Sequence, residues 1–154
     1  MRKLVLFMHV SLDGFAAVAN GGLDWISYDR ELQQYADGIV ATVGSPVYGR
    51  VTYELNDNIA EEINKLKQQP GKDLVIFGSP GLAHSLMELD LIDEYQLTLN
   101  PVLLGSGIPA YQNIKNKTKL KLVKATSLKN GVDRLRHYLN KLCLLLFKAN
   151  YYYD

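Results

Sequence analysis

The stretch LVIFGSPGLAHSL, residues 74–86, changes its periodicity part-way along. It opens with four consecutive apolar residues, which is typical of a buried strand. The residues GSPG (78–81) then form a turn signal, and Leu82, Leu86 and Leu89 recur at the spacing of one helix face. The stretch therefore predicts a strand, a tight turn and a helix, which is the repeating unit of α/β sheets.

Other apolar runs and stripes extend this pattern along the chain. We expect strands over Lys3–Val10, Ile39–Val43, Asp73–Phe77, Glu94–Leu99 and Lys119–Lys124, and helices over Asp29–Ala36, from Ser45-Pro46 onward, over Asn58–Gln69 and over Pro80–Leu89. Asn58 with Glu61 resembles a capping box. Strands that alternate with helices predict an α/β fold with a mostly parallel sheet. No strand is predicted between Gly49 and Asn58, where such a chain would normally return through the sheet.

The composition is that of a single globular domain. The chain has 154 residues, of which 47% are apolar and 21% charged, with a net charge of +1 that gives no global field for nucleic acid. Residues 115–154 nevertheless hold ten of the 17 basic residues and two of the 16 acidic ones. This segment is either a solvated face or a phosphate contact. Because Lys119, Lys121 and Lys124 alternate as on an edge strand, without interleaved stacking aromatics, we predict no nucleic-acid partner.

Cysteine and histidine placement limits the possible chemistry. Cys143 is the single cysteine, so one chain can form neither a disulfide nor a multi-thiolate metal site. His9, His84 and His137 lack metal-ligand spacing, so no metal is predicted, and we expect His9 to be buried and hydrogen-bonded. No apolar run approaches the ~20 residues of a membrane span. We therefore expect a cytoplasmic protein with no membrane partner.

The C-terminal segment departs from the alternating pattern. Residues 142–147 read LCLLLF, and three tyrosines follow at 151–153. As a helix from Val132, the segment would present a stripe of Val132, Leu135, Leu139, Leu142 and Leu146. We divide the chain into one domain over residues 1–131 and an atypical extension or altered last strand over residues 132–154.

Polar and glycine-containing segments follow the predicted strands at the carboxyl edge of the sheet. Gly78-Ser79-Pro80 places a helix N-terminus there, which suits an anion, but the same residues also make a plain corner with Ser79 as N-cap. Arg50 and Thr52 could contact a phosphate, or they are ordinary surface residues. Asp13 either orients a substrate nitrogen or relays a proton, or it caps its own turn. Two phosphate-compatible corners after adjacent strands would together suit a dinucleotide.

Five segments occur in the order found in a known superfamily. They are VSLDGF (residues 10–15), NGGLDW (20–25), GRVTYE (49–54), IFGSPG (76–81) and NPVLLGSG (100–107). Together they resemble the dihydrofolate-reductase-like superfamily. More closely, they are similar to stand-alone bacterial proteins related to the C-terminal reductase domain of the bifunctional riboflavin-biosynthesis deaminase-reductase. The resemblance covers about residues 1–54 and 58–131.

The resemblance implies a three-layer α/β/α fold with a mixed, mostly parallel sheet, and often a homodimer. It also implies NADPH as hydride donor and a small heterocyclic substrate, such as a pteridine or a pyrimidine. The residues that would bind the cofactor are Gly44, Gly49, Arg50, Thr52, Gly78, Ser79 and Gly81. Asp13 would be the catalytic polar group, and the substrate pocket would be lined by Trp25, Leu104, Gly105 and Ser106.

The chain departs from the family pattern in three places. Between Glu54 and Asn58 it lacks a segment that carries a strand and a Ser/Arg-containing turn near the cofactor adenosine. Phe77 and Phe7 stand where reductases of the riboflavin precursor carry Glu and Lys, which argues against that substrate. Arg30 stands where dihydrofolate reductases carry a carboxylate, which argues against folate. The alternative interpretation is a non-catalytic protein of the same fold that binds nucleotide weakly or not at all.

Overall fold

A six-stranded mixed sheet organises the chain. The computed structural model describes residues 1–47, 58–115 and 117–140. The elements in chain order are β1 (Leu4–Ser11), β2 (Phe15–Ala17), α1 (Arg30–Thr42), β3 (Val43–Pro46), α2 (Ile59–Gln68), β4 (Asp73–Phe77), α3 (Pro80–Glu88), β5 (Glu94–Asn100), β6 (Ile108–Pro109), β7 (Leu120–Ser127) and β8 (Asp133–Leu139).

The strands lie in the order β3-β4-β1-β5-β8-β7. The first four are mutually parallel, because β1 pairs in parallel with both β4 and β5, and β4 pairs in parallel with β3. The last two form an antiparallel hairpin added to β5. β2 and β6 form a separate antiparallel pair. This arrangement confirms the predicted mixed, mostly parallel sheet.

The central strand β1 separates two apolar cores. On one face, Leu4, Leu6 and Met8 pack in a large cluster with residues of α2 and α3. On the other face, Val5 and Phe7 pack in a smaller cluster with residues of α1. Strands covered on both faces are expected to be continuous apolar runs, as β1 and β4 are. The helices on both sides of the sheet confirm the three-layer α/β/α fold.

The predicted strand Ile39–Val43 and the predicted helix start at Ser45-Pro46 are wrong. Helix α1 continues to Thr42, and the strand that follows it is Val43–Pro46. Ile39 is buried with Leu32 and Ala36, at helical spacing, so it completes the apolar stripe of α1. A short apolar run cannot distinguish a strand from a buried helix segment, and here tertiary packing selected the helix.

Two further details differ from the sequence predictions. The Asn58 side chain makes no capping hydrogen bond at α2, so the capping box is not formed. The segment from Val132 is not a helix, because Asp133–Leu139 pair as β8 with strands on both sides. A turn in which Leu128 N donates to the Val132 carbonyl at 2.8 Å folds β8 back along β7.

The LCLLLF segment lies outside the described residues, as does the predicted strand gap over residues 48–57.

A charged cluster joins the hairpin to the parallel strands. The Glu94 side chain on β5 is 2% exposed and accepts hydrogen bonds from Arg136 Nε at 2.5 Å and Arg136 Nη2 at 3.1 Å. Gln96 Nε2 donates to it at 2.7 Å, and Lys3 Nζ lies 3.5 Å away. Burial acts to raise the pKa of Glu94, but the hydrogen bonds from Arg136 and Gln96 hold it below its usual range. Glu94 is therefore a buried carboxylate that depends on its partners.

Replacement of Arg136 should destabilise the protein more than its surface position suggests. We expect Arg136→Met to lower the free energy of unfolding by about 2 kcal/mol, because a buried carboxylate loses its main partner. The loss should fall short of that for a fully buried pair, since Arg136 is itself 41% exposed. Urea unfolding measures the change. Lys121→Met, on the exposed strand β7, is the control and should change the free energy by no more than ~0.5 kcal/mol. Equal effects of the two variants would contradict the prediction.

Candidate functional site

The carboxyl ends of three parallel strands meet at one edge of the sheet. β1, β4 and β5 end at Ser11, Phe77 and Asn100. Backbone hydrogen bonds continue past these ends: Gly78 N donates to Phe7 O at 2.9 Å, and Leu12 N donates to Val102 O at 2.9 Å. The turns after the three strands are therefore held beside one another. In open α/β sheets this edge is where ligands bind.

Asp13 links two of these turns. Its Oδ1 accepts from Ser11 Oγ at 2.7 Å and from Leu104 N at 3.1 Å, and its Oδ2 accepts from Gly105 N at 2.7 Å. The Ser11 hydroxyl and the Gly105 amide lower the pKa of Asp13, so the group is a carboxylate at neutral pH. The side chain thus does more than cap its own turn, because it braces the glycine-rich loop some 90 residues later in the chain.

The glycine-rich loop is also held by its far end. Ala110 N donates to Gly14 O at 2.9 Å, and β6 pairs with β2 beside it. Gly107 has φ +149°, and a Cβ atom there would overlap the carbonyl oxygen of Ala17. Only glycine allows the two backbones to approach this closely. The loop is consequently anchored at Leu104 and Gly105 by Asp13 and at Ala110 by Gly14. Gly105 and Ser106 nevertheless remain exposed.

The turn between β4 and α3 is open to solvent. Gly78 has φ +57°, and a Cβ atom at Gly78 or Gly81 would have no neighbour within 4 Å. The side chain of Ser79, the N-cap of α3, makes no capping hydrogen bond. The first N–H groups of a helix have no acceptor within the helix, and Gly81 in the first turn of α3 is exposed. The arrangement fits the phosphate groups of a nucleotide.

A histidine ties this turn to the braced loop. His84 lies on α3, and its Nε2 is 3.0 Å from the carbonyl oxygen of Pro109 on β6. Because a carbonyl only accepts, Nε2 carries the proton and donates. The start of α3 and the end of the glycine-rich loop therefore belong to one connected framework.

The structure brings some of the predicted site residues together and leaves others apart. Asp13 is in direct contact with Leu104 and Gly105. Trp25 is partly buried and donates from Nε1 to Gly22 O at 3.2 Å within its own loop. Gly44 lies on β3, where the pairing with β4 shifts register. The other predicted cofactor residues, Gly49, Arg50 and Thr52, lie outside the described residues.

The pairing of His9 with Thr98 near the same edge was not predicted from the sequence. His9 Nδ1 lies 2.5 Å from Thr98 Oγ1, and the His9 ring contacts the rings of Phe7 and Tyr28 at centroid distances of 5.1 and 5.8 Å. The predicted hydrogen bond of His9 is thus confirmed, although the side chain is only partly buried. Asn100 Oδ1 accepts from Ser27 N at 3.3 Å.

The sequence feature that could have predicted the pairing of His9 with Thr98 is the alternation of polar residues along β5. Every second position of the strand is polar: Gln96, Thr98 and Asn100. These side chains face the α1 side, each next to its register partner on β1; these partners are Phe7, His9 and Ser11. Among the described residues, no group of three or more acidic, histidine or cysteine side chains could hold a metal ion. No described helix is both long enough and apolar enough to cross a membrane.

Comparison with known proteins identifies the family. The family model described as the RibD C-terminal domain matches residues 56–133. The chain belongs to the RibD C-terminal domain family. The uncharacterized protein YwjB of Bacillus subtilis is 31% identical over 155 residues, covering 79% of this chain and 89% of that protein. The uncharacterized protein YyaP of the same organism is 28% identical over 182 residues, covering 90% and 96%.

Solved structures with the same fold include reductases. A putative riboflavin biosynthesis protein from Shewanella sp. PV-4 superposes with a TM-score of 0.74 at 16% identity, covering 90% of this chain and 99% of that one. Dihydrofolate reductase from Enterococcus faecalis, solved in complex with NADP(H) and RAB-propyl, superposes with a TM-score of 0.59 at 14% identity, covering 90% and 96%. At these identities the likeness shows the shared dihydrofolate-reductase-like fold of this RibD C-terminal domain protein.

The alignment with YyaP also shows that this chain is shorter inside the matched region. The alignment spans 182 positions, whereas 90% of 154 residues is about 139. About 43 alignment positions therefore have no residue of this chain opposite them. This difference is in keeping with an internal shortening, and its place between Glu54 and Asn58 stays a prediction.

His9 should make the protein less stable in mild acid. Burial lowers the pKa of His9 from 6.5 to about 4, so the unfolded chain binds a proton that the folded protein excludes as the pH falls from 6.5 towards 4. We expect up to about 3 kcal/mol of stability to be lost across this window. Urea unfolding at several pH values should show a smaller loss for His9→Gln and an unchanged loss for the control His137→Gln. An unchanged pH slope in His9→Gln would contradict this assignment.

Gly107 should tolerate no side chain. We expect Gly107→Ala to lower the free energy of unfolding by about 1–3 kcal/mol or more, because backbone strain and overlap with Ala17 act together. Thermal unfolding measures the change. Gly21→Ala is the control, since Gly21 has φ +84° but open space around its Cβ position, and it reports the strain alone. If Gly107→Ala is as stable as Gly21→Ala, the backbones at Gly107 and Ala17 do not pack as closely as described.

Proposed function

We propose that this protein is an NADPH-dependent reductase that transfers a hydride to a small heterocyclic, pteridine- or pyrimidine-like substrate. The observation that carries the proposal is the convergence of two features at one edge of the sheet. One is the open turn at Gly78 and Ser79, which leads into the N-terminus of α3 without a side-chain cap. The other is the loop at Leu104 and Gly105, which Asp13 braces. Membership of the RibD C-terminal domain family supports the same activity.

The cofactor residues divide into two groups. Gly78, Ser79 and Gly81 would hold the pyrophosphate, because the start of α3 offers N–H donors and lacks side chains that block approach. Gly44, Gly49, Arg50 and Thr52 would contact the remaining phosphates, as their positions in the family motifs imply. NADPH would supply the hydride, and the protein would supply position and electrostatics.

The substrate pocket would lie beside the braced loop. Trp25, Leu104, Gly105 and Ser106 would form its walls. Asp13 is the proposed polar group nearest the reacting atoms, where its carboxylate would orient a substrate N–H while keeping the loop in place. His9 and Thr98 would present neutral polar groups from the adjacent strands, because the lowered pKa keeps His9 uncharged at neutral pH.

Two aromatic residues support a substrate other than the riboflavin precursor. Phe7 and Phe77 are directly paired across β1 and β4, and their rings meet edge to face with centroids 5.7 Å apart. An aromatic contact thus stands where reductases of the riboflavin precursor carry Glu and Lys. Two phenylalanines would not pair with a charged substrate group.

The shortened chain favours a second candidate. Because about 43 alignment positions of YyaP have no counterpart here, a nucleotide would lose contacts made by the missing segment. The second candidate is therefore a non-catalytic protein of the same fold that binds nucleotide weakly. Measured cofactor affinity distinguishes the two candidates.

We further propose that the protein is a cytoplasmic homodimer. The family resemblance implies dimerisation, and the edge strand β7 exposes Leu120, Leu122 and Val123. Contiguous exposed apolar side chains of this kind often mark a protein interface. The single cysteine of the chain suits a reducing compartment.

A charge placed at the start of α3 should weaken cofactor binding without weakening the fold. We expect Gly81→Glu to raise the dissociation constant for NADPH at least tenfold, because a carboxylate there repels phosphate. The same charge interacts favourably with the helix N-terminus, so the fold should be retained. Fluorescence of bound NADPH and quenching of Trp25 measure the affinity.

Gly81→Gln is the size-matched control, and Arg50→Ala tests the second group of cofactor residues. Micromolar binding by the natural protein, weakened far more by Glu than by Gln, would support the reductase and justify a screen of pteridines and pyrimidines. Equal weakening by Glu and Gln would argue against a phosphate at this turn. Absence of binding by a protein with an intact circular dichroism spectrum would favour the non-catalytic candidate.

A further inference from the structure

A cleft of about 650 Å³ opens on the α1 face of the sheet, away from the edge braced by Asp13. It lies between α1 and the strands β5 and β8, towards the amino ends of the parallel strands, since Val43, Asp73 and Glu94 line it. Residues of α1, β5 and β8 also line the cleft: Glu31, Tyr35, Gly38, Ile39, Gln96, Arg134 and Arg136. The volume falls within the range of small-molecule sites.

Four polar side chains of the cleft wall are paired with one another. The Tyr35 hydroxyl donates to Gln96 Oε1 at 2.9 Å, and Gln96 Nε2 donates to Glu94 Oε1 at 2.7 Å. Arg136 then pairs with Glu94 through two nitrogens. This chain of hydrogen bonds fixes the wall, so a ligand would meet a rigid surface.

Arg134 is different from its neighbours. Its guanidinium carbon lies 3.9 Å from the centroid of the Tyr35 ring, which holds the side chain in place by a cation–π contact. Its Nε is buried and has no hydrogen-bond partner, and within residues 1–47, 58–115 and 117–140 no carboxylate forms an ion pair with it. The terminal nitrogens of Arg134 are not among the buried atoms and donate no hydrogen bond to another described residue, so they are the donors that a ligand in the cleft can reach.

Gly38 keeps the opposite wall open. It lies inside helix α1, where glycine is less favourable than alanine. A Cβ atom at Gly38 would meet no atom within 4 Å, so the packing of this chain does not require glycine. The missing side chain leaves room in the cleft, directly across from the strands.

We propose that this cleft is a second binding site, which takes a small organic carboxylate with a flat apolar body. A carboxylate matches the planar guanidinium of Arg134 and would accept hydrogen bonds from its terminal nitrogens. A single negative charge is favoured over a double one, because Glu31, Asp73 and Glu94 also line the cleft and repel a phosphate dianion more strongly than a carboxylate monoanion. The apolar body would lie against Val5 and Ile39.

Benzoate is the probe, and ¹⁵N-labelled protein without NADPH is the sample. We expect benzoate to shift the Arg134 Nε–H signal and the backbone amides around Gly38 saturably, with a dissociation constant on the order of 1 mM, as for a fragment with few heavy atoms. Benzamide, which has the same shape without the charge, should bind at least tenfold more weakly. Inorganic phosphate should produce no saturable shift at Arg134.

Three variants test the assignment. Arg134→Met keeps an unbranched chain over Tyr35 and should weaken benzoate at least tenfold, and Gly38→Leu should fill the cleft and do the same. Lys124→Met removes a charge from the neighbouring strand β7 and should leave the affinity unchanged. The proposal is overturned if benzoate shifts no Arg134 signal, if benzamide binds equally well, or if a folded Arg134→Met variant binds benzoate normally. These measurements are made without NADPH, so their results do not depend on whether the protein is a reductase.

Discussion

The burial of β1 on both faces is the constraint on which the rest of the structure depends. Its side chains alternate between the cluster shared with α2 and α3 and the cluster shared with α1. A shift of one residue would exchange the two faces, so the register against β4 and β5 is strongly specified. That register determines which residues emerge at the carboxyl edge, and it places the turns after Ser11, Phe77 and Asn100 side by side.

The two faces of β5 separate packing from chemistry. Tyr95 and Leu97 join the apolar core, whereas Glu94, Gln96 and Thr98 face the α1 side. On that side helix α1 covers mainly the strands β1 and β4, so the polar side of β5 pairs with β8 and lines a cleft. At the carboxyl edge the same strand leads into the loop that Asp13 braces. One strand thus contributes to both proposed binding sites.

Sequence patterns correctly predicted the elements for which the local sequence preference and the tertiary contacts favour the same secondary structure. The strand–turn–helix at residues 73–88 was predicted almost to the residue, because a buried strand, a turn signal and a leucine stripe all indicate the same structure. The run beginning at Ile39 was assigned wrongly, since its apolar residues satisfy either period and contacts with β1 and β4 selected the helix. The strand β8 was predicted only as an altered last strand, one of two alternatives for residues 132–154, because its partners β5 and β7 supply stabilisation that its own sequence does not signal.

The sequence by itself determined the fold class, the family, and the residue types of the candidate site, because periodicity, turn residues and motifs are local properties that can be read along the chain. Only the tertiary structure decided which residues meet. The contact of Asp13 with Leu104 and Gly105, the pairing of His9 with Thr98, and the stacking of Arg134 on Tyr35 all join residues about 90 or more positions apart. Such contacts depend on strand order and register, which arise from burying two faces of one sheet at once and not from any segment alone.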